Sequence, residues 1–148
     1  MTEQQLWKLY LEKHPDEKRD YTAWSFGGDA ATADKLAQLV LEGTKTATSS
    51  AYPLYELDSS PLPEVGDLNI ILDSNGNAVC ITETTRVYTC PFGEVTDEHA
   101  YLEGEGDRSL SFWRLIHQVF FTRELFIHDL NFGEDMLVVC EEFRLIQL

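Results

Sequence analysis

Leu39-Val40-Leu41-Glu42-Gly43-Thr44-Lys45-Thr46-Ala47-Thr48 is the stretch on which the fold turns, because the chain enters it as helix and leaves it as strand. Upstream, Ala33, Leu36, Ala37 and Val40 recur at i, i+3, i+4 and i+7, the period of a helix with one buried stripe. Asp29 stands where an N-cap belongs, and Gly43 stands where a glycine ends a helix. From Lys45 to Ala51 the threonines and small residues favour a strand.

Working outward, Leu6, Trp7, Leu9 and Tyr10 predict a first helix over residues 2–13, followed by a polar break to Asp20. Tyr21 to Gly28 reads as an aromatic loop stopped by two glycines, and Pro53 to Pro63 as a second loop. Leu68, Ile70 and Leu72 alternate with other residues, and Ser74-Asn75-Gly76-Asn77 is a hairpin turn leading into a strand over 78–88. Asp97 to Glu103 predicts a short helix closed by Gly104. Asp107 is the expected cap of a longer helix from Arg108 to Glu124, apolar nearly all round and therefore expected to be buried. Residues 136–148 read as one or two closing strands, with Glu141-Glu142 breaking the alternation as a bulge does. Helices first, strands next and helices interleaved late predict an α+β class, with a curved or barrel-like sheet and helices packed around it. No repeat, low-complexity tract or shift of composition divides the chain, so residues 1–148 are expected to form one domain.

Composition narrows the function. A chain of 148 residues with 43% hydrophobic and 11% aromatic content has enough apolar side chains for a sizeable core. No run approaches the ~18 apolar residues of a membrane span, and the first residues lack the basic-then-apolar pattern of a secretory signal. Cys80, Cys90 and Cys140 are odd in number and form no Cys-x-x-Cys pair, which indicates neither a disulfide framework nor a zinc site. These features read as a soluble cytoplasmic protein. With 11 basic and 26 acidic residues the formal charge is −15. Polyanion binding needs Lys and Arg against phosphates, so RNA is disfavoured and a small neutral ligand fits better.

Two residues carry most of the chemistry. Lys45 and Thr48, three positions apart where helix gives way to strand, can converge on one pocket, the amine deprotonating the hydroxyl as in a Ser-Lys nucleophile. By pattern alone Thr-x-Thr is also an ordinary edge strand. Trp24 and Phe26 offer faces on which a base stacks, although aromatic residues in such a stretch more often belong to a core. Arg114 lies on the one polar strip of its helix, whereas His117 falls on the line of Leu110, Trp113 and Phe120 and reads as a core histidine. His14, His99, His117 and His128 lack ligand spacing with one another, and no metal follows from them.

The helix-exit stretch resembles the ASCH domain family, relatives of the PUA-like RNA-binding barrel. Trp24-Ser25-Phe26-Gly27, the run from Glu103 to Leu110, and Phe112-Trp113-Arg114 resemble a bacterial branch of it, so the likeness covers most of the chain. It implies a PUA-like fold. It also implies the activity of family members that deacylate N(4)-acetylcytidine, small amidohydrolases acting on a nucleoside without a cofactor. Their motif Gly-x-Lys-Thr-x-Thr-x-Arg is matched by Gly43, Lys45, Thr46 and Thr48, and their acidic residue, three positions beyond a His-Ala pair, by Glu103 after His99-Ala100. The resemblance thus implies Lys45 as base, Thr48 as nucleophile and Glu103 as third catalytic group, with Trp24, Phe26 and Thr46 around the substrate. Ser50 stands where the motif has arginine, and Arg108 or Arg114 are the candidate replacements. Glu98 and Glu105 have no comparable mark. The family also includes proteins read as RNA binders or ribonucleases, so a non-catalytic RNA-binding module is the alternative.

Overall fold

The computed structural model describes residues 1–148. Its elements run α1 (Glu3–Lys13), β1 (Tyr21–Ser25), α2 (Ala30–Glu42), β2 (Ala47–Ala51), α3 (Tyr52–Asp58), β3 (Leu68–Leu72), β4 (Ala78–Pro91), α4 (Asp97–Glu103), α5 (Leu110–Phe126) and β5 (Leu137–Leu145), with a single 3-10 turn at Phe92–Glu94. The five strands form one mixed sheet in the order β1-β3-β4-β5-β2. The β1–β3 pairing is parallel and the other three are antiparallel. This is the α+β, half-barrel architecture that the sequence predicts.

Both faces of the sheet are covered, and the pleat sorts its residues between them. Leu68, Ile70 and Ile81 pack under Leu6 and Tyr10 of α1. Ile71, Cys80 and Phe143 point the other way, onto Ala37 and Val40 of α2 and onto Phe26. Val138 and Cys140 at the far end of the sheet meet Ala100 of α4 and Trp113, Phe121 and Leu125 of α5. β1 and β2 are the outer strands, and Thr22 and Trp24 of one share a cleft with Thr48, Ser49 and Ser50 of the other. The half-barrel therefore opens between its two unpaired edges.

Several expectations are corrected. Tyr21 to Ser25 is a strand rather than a loop, held by parallel pairing from Tyr21 against Leu68 to Ser25 against Leu72. Within the 53–63 loop lies the helix α3, because Pro53 falls in the first turn, where its missing N–H is no loss. Ser109, not Asp107, caps α5 by accepting from the Phe112 N–H, while Asp107 accepts from the Ser109 N–H. One side of α5 is not buried: Leu115, Val119, Phe126 and the following Ile127 stand exposed. A single strand closes the chain, and the bulge falls on β4 at Thr85, opposite the Glu142–Phe143 step. No helix is long and apolar enough to cross a membrane.

Candidate functional site

Two glycine-terminated helices bring the site together. At the end of α2, Gly43 takes φ +84, and the N–H groups of Thr44 and Lys45 both turn back to the Leu39 carbonyl. The chain reverses sharply and drives the Lys45 side chain inward, leaving it 1% exposed. Thr96 caps α4 by accepting from the His99 N–H, and Gly104 ends it at φ +75. A Cβ at Gly104 would lie 2.6 Å from the Thr44 carbonyl oxygen, so only glycine lets the two helix ends abut. Thr46 completes the junction: its N–H donates to the Leu102 carbonyl at 2.8 Å, and its hydroxyl to the same oxygen at 3.4 Å. Thr46 is thus a backbone tie, outside the walls of the cleft.

This junction sets Lys45 Nζ 3.0 Å from Glu103 Oε1 and 3.3 Å from Glu105 Oε2, with the Phe26 ring centroid at 5.2 Å. The other Glu103 oxygen accepts from Ser49 Oγ and Trp113 Nε1, both at 2.5 Å. His99 Nε2 lies 3.1 Å from that oxygen and 2.7 Å from Ser49 Oγ, and His117 Nε2 lies 3.5 Å from it. Burial alone would raise the Glu103 carboxyl. The Lys45 and His117 charges and the histidine hydrogen bonds outweigh it and hold the group well below the usual carboxylate range. For His117, burial lowers the imidazole pKa, but the charge and hydrogen bond of Glu103 leave it raised. His117 Nδ1–H donates to the Trp113 carbonyl at 2.9 Å, which aims Nε2 at Glu103. His99 Nδ1 is buried without a partner. Ligand atoms of Glu103, Glu105 and His117 lie within 4.8 Å of one another, close enough for a metal ion. The Lys45 ammonium already binds both carboxylates and competes for that place.

Two hydroxyls stand on β2 beside this network, and strand register distinguishes them. The Phe143 N–H donates to the Thr46 carbonyl, and Thr48 lies opposite Glu141. Hydrogen-bonded and non-bonded pairs alternate in an antiparallel ladder, so Thr48 and Ser50 direct their backbone groups at β5. Ser49 directs its N–H and C=O at the open edge. The Ser49 side chain is committed to Glu103 and His99, whereas the Thr48 hydroxyl has no side-chain partner. Lys45, Thr48, Ser49, Glu103, Glu105 and His117 all line one cavity of ≈ 860 Å³. A second one, ≈ 590 Å³, shares Thr48 and Ser49 and extends between β1 and β2.

The structure brings Lys45, Thr48 and Glu103 to one cavity and sets Trp24, Phe26 and Ser50 on the walls of the cleft. Ser50 Oγ is 2.8 Å from the Tyr55 hydroxyl of α3. Neither Arg108 nor Arg114 lines the two cavities. Arg108 lies over the Tyr101 ring and donates to the Tyr101 and Thr44 carbonyls, while Arg114 donates to the Gly93 carbonyl. Sequence reasoning passed over Ser49, Glu105 and Glu141, and it read His117 as core. His99 carried a usable signal: it precedes Glu103 by one helical turn, so the two side chains share a face of α4.

Comparison with known proteins agrees with this architecture. The profile of the ASCH domain matches residues 22–147. The crystal structure of an ASCH domain from Lactobacillus crispatus superposes with a TM-score of 0.84 at 34% identity, covering 93% of this chain and 92% of that one. A protein from Enterococcus faecalis, assigned to DUF984, superposes with a TM-score of 0.88 at 35% identity, covering 95% and 85%. A hypothetical protein at 16% identity and TM-score 0.55, covering 84% of this chain and 100% of its own, shares the fold alone. Comparison with proteins of curated function returns no match. A profile spanning β1 to the end of β5, and two solved structures each about one-third identical over nearly the whole chain, establish that this protein belongs to the ASCH domain family.

Proposed function

We propose that the protein is a small amidohydrolase that removes the acyl group from N(4)-acylated cytidine-type nucleosides. The observation that carries this reading is the buried Lys45–Glu103 pair opening onto the same cavity as the unengaged Thr48 hydroxyl. In the mechanism, Lys45 in its amine form, held in place by Glu103, takes the Thr48 hydroxyl proton as Thr48 Oγ1 attacks the acyl carbonyl. The carbonyl oxygen gathers charge at the open edge of β2, where the Ser49 N–H is free to donate to it. Collapse breaks the C–N bond, and the N4 amine leaves with the proton held by Lys45. Water then attacks the acyl–Thr48 ester, giving up its proton along the same path and restoring the hydroxyl. Ser49, His99, His117 and Trp113 act on Glu103, fixing the carboxylate that holds the lysine.

An RNA-binding role for the same cleft lacks support in its lining. The cavity between β1 and β2 carries Asp67, Glu124 and Glu141 and neither Lys nor Arg. The decisive experiment is incubation with N(4)-acetylcytidine and chromatographic detection of cytidine. Thr48→Ala is expected to abolish turnover with little change in thermal stability. Ser49→Ala, which keeps the backbone donor, should retain a reduced rate. If Ser49→Ala is dead and Thr48→Ala active, the nucleophile is Ser49; if the wild-type chain releases no cytidine, the reading fails.

A further inference from the structure

We propose that the Glu141 carboxyl, on the floor of the cleft between β1 and β2, recognises the ring of the ligand by pairing with the adjacent acceptor and donor of a cytosine-type edge. The proposal takes its ligand class from the deacylase reading and assigns a residue that neither the motif nor the charged network includes.

The carboxyl is presented by a one-way chain of hydrogen bonds. An indole N–H only donates, so Trp24 Nε1, 3.0 Å from Asn69 Oδ1, fixes which end of the amide faces it. Asn69 Nδ2 must then face Thr84 Oγ1, at 3.3 Å, as donor. The Thr84 oxygen accepts there, and its own proton is directed at Glu141 Oε1, also at 3.3 Å. Glu141 Oε1 is therefore the acceptor end of the carboxyl. The second oxygen has no protein partner and opens onto the cleft. Burial pushes this group up to about 7, with the Thr84 hydrogen bond opposing and the charge of Asp67 adding to the rise. The other titratable groups facing the cleft are Glu124 of α5 and Tyr55 of α3, and no cation is among them.

A neutral carboxyl is both donor and acceptor. Its O–H donates to ring N3 and its carbonyl oxygen accepts from N4–H, two parallel bonds that leave no buried group unpaired. The ionised form has only acceptors and meets the N3 lone pair unfavourably. Pairing also places the reacting bond. Glu141 and Thr48 are cross-strand partners, with Cβ atoms roughly 5 Å apart on one face of the sheet. An acyl group on N4 is then one bond from the atom that Glu141 holds and lies beside the Thr48 hydroxyl. Trp24, Phe26 and Phe120 supply apolar faces around the ring.

The test is equilibrium binding of cytidine, the unreactive product, to the full chain at pH 6 and pH 8. Wild-type affinity is expected to fall about tenfold between the two, as the neutral form titrates away. Glu141→Gln keeps one donor and one acceptor without titrating, so it should bind at both pH values with similar affinity. Glu141→Leu should lose at least tenfold at pH 6. Should Glu141→Leu fail to fold, the wild type and Glu141→Gln decide the matter alone. A pH dependence that persists in Glu141→Gln belongs to another group, such as His117, and overturns the proposal, as does the absence of cytidine binding. Hydrolysis of N(4)-acetylcytidine is scored separately. The binding pattern without hydrolysis supports recognition by Glu141 and removes the deacylase, whereas hydrolysis without the pattern overturns Glu141 and keeps the enzyme.

Discussion

Glu103 bears more of the site than any other residue, because five side chains converge on its two oxygens. Removing the charge leaves the buried ammonium with only the partly exposed Glu105 as counter-ion, a loss approaching the roughly 3–5 kcal/mol of deleting one partner of a buried pair. Glu103→Gln should therefore destabilise the chain on that scale in urea unfolding and lower kcat at least 100-fold. Adding Lys45→Met to Glu103→Gln should recover much of the stability and none of the activity, since the pair is then replaced rather than broken. The sign with pH follows from the direction of the shift. A carboxyl held below its ordinary value contributes stability that is complete above ~4.3 and lost as pH falls through the depressed value. The acid limb of the stability profile should accordingly be shallower in Glu103→Gln, and an unchanged limb would place the titration elsewhere. His117, raised, runs the other way: its contribution is complete below ~6.5 and fades as pH rises through its folded value. Sequence alone separates Glu103 from 25 other acids only through its place after His99-Ala100. Its partner Lys45 is 58 positions away, and the burial that distinguishes the pair is a product of tertiary packing.

At the level of elements, the site depends on how closely α4 approaches the α2–β2 turn. Gly104 permits it through both its positive φ and the space its missing Cβ leaves beside Thr44. Gly104→Ala must adopt a left-handed backbone, at about 1–2 kcal/mol, and also displace a carbonyl oxygen. We expect a loss of at least 2 kcal/mol in urea unfolding, together with a fall in turnover as Glu103 draws back from Lys45. Stability within 1 kcal/mol of wild type would show that the junction has slack. The helix α2 was legible because a cap and a terminal glycine mark its two ends, α4 because Gly104 closes it, and β3 and β4 because a hairpin turn joins them. β1 was not, since five residues at a sheet edge carry too short an alternation and their aromatic side chains serve the cleft. α3 was hidden by reading Pro53 as a breaker, although a first-turn proline is compatible with a helix. The exposed side of α5 was invisible for a simpler reason: a helix apolar all round has no periodicity to say which side faces the core.

For the whole molecule the deciding quantity is charge. The net −15 is spread over a fold whose cleft presents three carboxyls and neither Lys nor Arg between β1 and β2. Such a field attracts cations, leaves neutral ligands largely unaffected and lowers the local concentration of anions, and low-dielectric walls focus it in the cleft. A 5′-phosphate on the nucleoside brings about two negative charges into this field, and no guanidinium or ammonium lines the β1–β2 cleft to receive them; the cations of the adjoining cavity are Arg123 and the carboxylate-paired Lys45. The kcat/KM for N(4)-acetylcytidine should therefore exceed that for its 5′-monophosphate by at least tenfold at low ionic strength. The gap should narrow as salt shortens the Debye length from ~30 Å at 0.01 M towards ~8 Å at 0.15 M. Generic single-stranded RNA, whose affinity rests on phosphate contacts, should show no binding at physiological salt. The salt dependence makes the test specific. A purely steric exclusion of the phosphate would hold the ratio constant with ionic strength, whereas an electrostatic one must relax. Equal kcat/KM for the two substrates, or tight RNA binding that weakens steeply with salt, would mean that a basic path to the cleft exists elsewhere on the surface, and the nucleoside reading would yield to a nucleic-acid one.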